Sequence, residues 1–178
     1  KRAGAEAAAF ANAQGAGTPN SDEVLAEASR VTSYLSRKRT GPRPNEIKTR
    51  LQKLMNDYVG VVRNDEGLRN TIAEFERMER EDLPSMSMAE DNRVGNYDWI
   101  EALEVTAMIR FARAMAGAAL LRTESRGAHY REDYPELDDE NWLQNIVIRH
   151  TGNDDALAFE TRACTPGPEY TAALAEAS

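Results

Sequence analysis

Residues 98–123 read Asp-Trp-Ile-Glu-Ala-Leu-Glu-Val-Thr-Ala-Met-Ile-Arg-Phe-Ala-Arg-Ala-Met-Ala-Gly-Ala-Ala-Leu-Leu-Arg-Thr. The run contains no proline and is rich in Ala, Leu, Met and Glu, the residues that lose least on entering a helix. Ile100, Leu103, Ala107, Met108, Phe111, Ala114, Met115 and Ala118 recur at helical spacing and predict one continuous apolar face. Asp98 with Glu101 three residues on is a start signal, and Tyr97 stands where a hydrophobic staple would fold onto the first turns. The small residues 116–119 permit close packing. A helix of this length cannot bury such a stripe alone, so the neighbouring segments must supply partners.

They do. Upstream, Leu68, Ile72, Phe75 and Met78 mark a helix expected to finish around Arg80 to Leu83, with Pro84 fixing its end. Before it, Ile47, Leu51, Leu54, Met55, Tyr58, Val59 and Val62 predict a helix ending near Arg63-Asn64, after a break at Thr40-Gly41-Pro42-Arg43-Pro44. Residues 84–96 form a polar connector. The expected fold class is all-α: a three-helix up-down bundle over residues 43–124. An N-terminal helical arm precedes it. Residues 2–14 are nearly all small, with a break at 14–19. Asn20, or Ser21, with Glu23 then caps a second helix to about Arg37, whose sparse apolar positions (Val24, Leu25, Val31, Leu35) suit leaning on a larger body. Residues 123–143 are polar and aromatic without a period. Residues 145–150 and 156–162 lean to β around Gly152-Asn153-Asp154-Asp155 and predict a hairpin. Residues 163–178 form a loose tail.

Composition narrows the function. The 178 residues suit one domain with an attached arm. A net charge of -8, with no basic stripe, argues against a nucleic-acid partner. No apolar run approaches the roughly 20 residues of a membrane-spanning helix, so contact with a membrane would have to come through something else. The single Cys164 allows no internal disulfide, which is compatible with a reducing cytosol. His129 and His150 lack a second ligand at metal spacing. The chain opens at Lys1 inside an Ala-rich helical pattern, as a piece of a longer polypeptide would.

Thr123-Glu124-Ser125-Arg126-Gly127-Ala128-His129-Tyr130-Arg131-Glu132-Asp133-Tyr134-Pro135, followed by Asp138-Asp139-Glu140-Asn141-Trp142-Leu143, resembles the segment after the helical bundle of succinate dehydrogenase and fumarate reductase flavoprotein subunits. Met55-Asn56-Asp57-Tyr58-Val59-Gly60-Val61-Val62-Arg63-Asn64-Asp65-Glu66-Gly67-Leu68 is similar to that family's first bundle helix and connector, and residues 1–11 to the helix closing its flavin domain. The resemblance implies a spectrin-repeat-like bundle at the C-terminal end of an FAD-dependent oxidoreductase. Residues 1–42 would be the end of the flavin domain and a connecting helix, and residues 125–178 a polar strap, hairpin and tail. It implies that FAD, the dicarboxylate-binding residues and the proton-delivering Arg lie upstream, so this segment carries no catalytic, cofactor-binding or metal residue and is inactive alone. The implied partners are the flavin domain and the iron–sulfur subunit, in a cytoplasmic complex peripheral to the inner membrane. The residues at 165–170, Thr-Pro-Gly-Pro-Glu-Tyr, lead into an acidic Ala-rich end where the family often has a Pro-rich basic one.

Glu124, Arg126, His129, Tyr130, Arg131, Asp133 and Trp142 are therefore the candidate domain-interface residues. His129 among Arg126, Arg131, Glu132 and Asp133 invites a general-base reading. Without a nucleotide-binding Gly-rich motif there is no hydride acceptor for such a base, and hydrogen bonding within a strap is favoured. Asp138-Asp139-Glu140 lacks Ca²⁺-loop spacing and reads as a helix start. Gly127 marks a tight turn, Trp99 and Trp142 packing anchors, and Met55, Met78, Met108 and Met115 core positions. Two rivals remain: the C-terminal domain of L-aspartate oxidase, which has a similar Glu-Ser-Arg-Gly segment, and a free-standing helical interaction module.

Overall fold

A computed structural model of the chain describes residues 2–15, 17–37, 40–151 and 156–164. Most of it is helical, with two small sheets. Helix α1 (Arg2–Gln14) is exposed along its described side chains and is followed by Gly15, whose positive φ suits a residue without Cβ. Helix α2 (Ser21–Ser33) starts on Asn20, whose side chain accepts from the Asp22 N–H, and runs into a 3₁₀ turn, Tyr34–Ser36. It therefore stops short of Arg37 as an α-helix. Val24 and Leu25 are exposed, and docking begins at the end of the helix, where the Trp99 indole N–H donates to the Val31 carbonyl at 2.8 Å and the buried Tyr34 hydroxyl lies 3.0 Å from Thr106 Oγ1.

Helices α3 (Pro44–Tyr58), α4 (Asp65–Arg77) and α6 (Tyr97–Leu121) pack on one another and share one core. Pro44 opens α3, and Glu46 accepts from the Arg43 N–H at 2.8 Å. The core takes Ile47, Leu51 and Val59 from α3 and its end, Leu68 and Phe75 from α4, Met78 beyond it, and Ala102, Val105, Ile109, Ala112, Ala116 and Ala119 from α6. The alanines let the other two helices approach α6 closely.

Four expectations fail here, each for a physical reason. The expected face of α6 is only partly the inner one: Leu103 and Met108 pack against the core, but Ile100, Phe111 and Met115 point outward, at 51%, 73% and 47% exposure, and the fully buried positions lie elsewhere on the helix. Both faces are apolar, so periodicity alone cannot choose between them. Helix α3 ends at Tyr58 rather than Arg63-Asn64, because Val62–Arg63 forms β1 and pairs in parallel with β2 (Tyr130–Arg131). The cap of α6 is Asn96, accepting from the Trp99 N–H at 3.0 Å, while Tyr97 is exposed and staples nothing. Asp98 instead accepts from the Ala89 N–H and pairs with Arg43. Finally, the connector at 84–96 is not merely polar: Met86 and Met88 are buried in the core.

Beyond Arg77 the α4 helix widens into a π turn, Met78–Asp82, in which the Leu83 N–H reaches back to the Met78 carbonyl, and then closes in one turn, α5 (Leu83–Ser85). Asp82 is buried by this and pairs with Arg50 and Arg77. Downstream, α7 (Asp139–Trp142) starts on Asp138, as a helix start should, and leads into β3 (Gln144–Thr151), antiparallel to β4 (Ala156–Ala163). The turn at 152–155 and the tail from 165 lie outside the described residues. The hairpin docks on α6 through Phe159, whose ring sits where a Cβ on Gly117 would be, about 2.5 Å from Cζ. No helix among the described residues is long and apolar enough to cross a membrane.

Candidate functional site

The segment from Arg122 to Leu143 lies over the C-terminal end of α6 and the N-terminal end of α4. Its first half is turned by Gly127, at φ +58, between reciprocal backbone hydrogen bonds of Arg126 and His129 (2.8 and 3.0 Å). It then runs beside β1, with the Tyr130 N–H on the Val61 carbonyl and the Glu132 N–H on the Arg63 carbonyl. Ser125 pins the fold-back: its hydroxyl donates to the Tyr134 carbonyl at 2.7 Å and accepts from the Arg131 N–H at 2.9 Å.

Two charged groups inside this strap are fully buried. Glu124 accepts from Arg126 at 2.8 and 3.0 Å, from the Asp138 N–H at 2.9 Å, and from Arg122. Burial alone would raise its pKa, but these donors together hold it down at about 2. Arg122 in turn donates to the carbonyls of Trp142 and Gln144 and stacks 5.0 Å from the Trp142 ring, whose indole N–H is held by Thr123. One carboxylate thus ties the end of α6 to α7 and to the start of β3.

Arg131 is the second. One terminal nitrogen donates to the carbonyls of Ala119, Leu120 and Arg122, the unpaired end of α6, where a cation also meets the negative end of the helix dipole. Its Nε and other terminal nitrogen form a fork on Asp133, both at 2.7 Å. Asp133 also accepts from the Asp65 N–H at 2.9 Å, the first helical residue of α4. Hydrogen bonds from Arg131 hold Asp133 at a pKa of about 2. The pair therefore joins the C-terminus of one helix to the N-terminus of another, with each charge opposite the helix end it favours.

His129 is half-buried. Nδ1 lies 2.5 Å from Arg63, which has only donors to offer, so Nδ1 is the acceptor and Nε2–H faces the Arg122 carbonyl at 3.4 Å. Burial lowers its pKa, and Arg63, Arg131 and Arg122 lower it further. A ring neutral at ordinary pH, with its lone pair on a guanidinium, is arranged to hold a turn rather than to abstract a proton. The sequence-predicted residues Glu124, Arg126, His129, Arg131, Asp133 and Trp142 come together in one network, and Tyr130 contributes its backbone while its side chain is exposed. Arg63, Asp65 and Arg122, which complete the network, stand at the ends of apolar-periodic runs. A charge closing such a run was the signal available for finding them.

The model of the fumarate reductase flavoprotein C-terminal family matches residues 48–171. The chain belongs to this family. It is 31% identical over 134 residues to the succinate dehydrogenase flavoprotein subunit of Coxiella burnetii, covering 75% of this chain and 22% of that protein. It is 37% identical over 99 residues to an uncharacterized FAD-dependent oxidoreductase of Methanocaldococcus jannaschii, covering 56% and 17%. Among solved structures, the Mycobacterium smegmatis Sdh1 complex superposes with a TM-score of 0.71 at 30% identity, over 82% of this chain and 25% of that one. The chain spans about a fifth of the length of the curated relatives it matches.

The turn from β1 into α4 does not fit the pyrophosphate of a flavin dinucleotide. Such a cofactor lays its pyrophosphate on free N–H groups where a strand turns through glycine into a helix. Helix α4 follows the parallel strand β1, but its Asp65 and Gly67 N–H groups are taken by Asp133 and Asn64. Asp65 and Glu66 add negative charge where phosphate would sit.

Proposed function

We propose that this chain is the C-terminal domain of a succinate dehydrogenase or fumarate reductase flavoprotein subunit, bracing an upstream FAD domain and contributing to contact with an iron–sulfur subunit. The reading is carried by the family match over residues 48–171, joined to a strap whose charged groups hydrogen-bond one another. Residues 43–124 form the spectrin-repeat-like up-down bundle, residues 1–42 the link to the flavin domain, and residues 125–178 the strap, hairpin and tail. FAD, bound upstream, supplies the hydride acceptor for the succinate/fumarate pair. Residues 122–143 keep the ends of α4 and α6 rigid, so that the exposed parts of the strap, including the Tyr130 side chain, can serve the domain interface. The complex sits in the cytoplasm, peripheral to the inner membrane through its partner subunits.

Assaying the full-length gene product for succinate oxidation with an artificial electron acceptor, and for fumarate reduction, tests this. Turnover in either direction is expected. Turnover of L-aspartate without succinate would replace the reading by L-aspartate oxidase. The 178 residues alone should purify without a flavin absorbance band.

A further inference from the structure

All six methionines of the chain stand within the described residues, and they fall into two sets. Met78, Met86 and Met88 are enclosed in the core, none more than 3% exposed. Met55, Met108 and Met115 instead line one groove of about 550 Å³ between α3 and α6, beside Leu51 and Phe111. Met115 is 47% exposed, whereas Met55 and Met108 are half-buried, each with one side packed against the core. Thioethers adapt to irregular gaps, so a methionine in either place needs no explanation by itself. Packing alone gives no reason for every methionine outside the core to share one groove open to solvent.

We propose that this groove is an oxidation site, at which a hydroperoxide converts Met115 first, and Met108 and Met55 after it, into sulfoxides, and that the later step loosens α3 from α6. In each step the sulfur lone pair attacks one peroxide oxygen, the O–O bond breaks and an S–O bond forms. The sulfur gives up two electrons. The other peroxide oxygen takes the proton and leaves, reduced, as water or an alcohol. Susceptibility follows access, which ranks Met115 ahead of the two half-buried sulfurs and well ahead of the core set. The consequences differ with position. A sulfoxide at Met115 stays in water. At Met55 or Met108 it turns an apolar side chain polar where α3 meets α6, beside the buried Leu51 and Ala112. The helices must then part, or the side chain must swing outward and give up its apolar contact. The inference goes beyond the functional reading above and uses no part of it.

The test exposes the full-length gene product to hydrogen peroxide and follows each methionine by peptide mass spectrometry. Backbone hydrogen exchange is read over residues 44–58 and 97–121 at the same times. Met115 is expected to react first, on the order of tenfold faster than Met78, Met86 and Met88. Exchange should hold steady at that stage and rise several-fold once Met108 and Met55 follow. Methionine sulfoxide reductases acting on both epimers should bring it back. A double variant, Met55→Leu with Met108→Leu, keeps the volume of the groove and should hold exchange at its unoxidised level while Met115 still reacts. Oxidation of all six at one rate, or of the core set first, would mean that oxidation merely follows unfolding, and would overturn the proposal. So would groove methionines that resist peroxide in the native protein, groove sulfoxides that leave exchange unaltered, or a double variant that loosens as the unaltered protein does.

Discussion

The core between α3, α4 and α6 and the strap laid across their ends are neighbours in space but are held by opposite means. In the core, Leu68, Phe75, Met78 and Ile109 are fully buried and are held by apolar packing. In the strap, Glu124 and Arg131 are as deeply buried, and every contact that matters is a directed hydrogen bond to a charge. Apolar burial is non-directional and tolerates exchange of similar volumes. A buried guanidinium fixed by five acceptor contacts tolerates almost nothing, because removing one partner leaves the other charge without its compensation. The core supplies stability that many sequences could supply, whereas the strap fixes how two helix ends stand relative to one another. This explains why the strap's sequence reads so specifically while the core's reads only as a pattern.

Arg131→Ala should strike hardest, destabilising the chain by about 3–5 kcal/mol, because it strands Asp133 and frees the Ala119 and Leu120 carbonyls of α6 and the Arg122 carbonyl just beyond it. The urea midpoint checks it, and a change below 1 kcal/mol would break the contrast. Leu68→Ala should cost about 3 kcal/mol through the cavity it leaves, and Leu68→Met less than half of that. No comparable conservative replacement should rescue Arg131, so Arg131→Lys, which keeps the charge and loses the fork, should stay close to the alanine variant.

Glu124→Gln should cost about 2 kcal/mol, by removing the anion between Arg122 and Arg126 while keeping its shape. Acid separates the two regions in the same direction. Glu124 and Asp133 have folded pKa values near 2, below those of the unfolded chain, so their contribution is present above about pH 4–5 and is lost as pH falls toward 2. Thermal unfolding across that window should show Glu124→Gln with a shallower acid loss than the unaltered chain, and Leu68→Ala with the same slope. Smallest is the contribution of His129. Its folded pKa is lowered, so the unfolded chain binds its proton first and stability declines as pH falls below about 6.5. His129→Gln should remove that part of the slope.

What the sequence made legible divides along the same line. The axis of each main helix followed from spacing, because Ile47, Leu51, Leu68 and Phe75 repeat with the helix and have polar residues between them. The orientation of α6 did not follow, since its two apolar faces give the same period and only the neighbours decide which is inside. Val62 continued the α3 series and was read into the helix, although its pairing partner Tyr130 is distant in sequence and leaves no local trace. Met86 and Met88 reach the core from an irregular segment, where no period exists to mark them. The strap was recognisable by likeness, but likeness carries no burial, and it could not reveal that Glu124 and Arg131 turn inward or that Arg63 and Arg122 complete their network. The capping of two helices by one ion pair is a relation between distant residues, and single-sequence reading sees only neighbours.

The π turn at Met78–Asp82 has a consequence for how this fold can change over time. By seating one more residue per turn than an α-helix, it acts as a spacer that absorbs a single inserted residue without displacing the chain beyond it. Deleting that one residue would restore the ordinary pitch and leave the later side chains in phase. The turn is thus a point where the chain can gain or lose one residue while the segments on either side keep their phase.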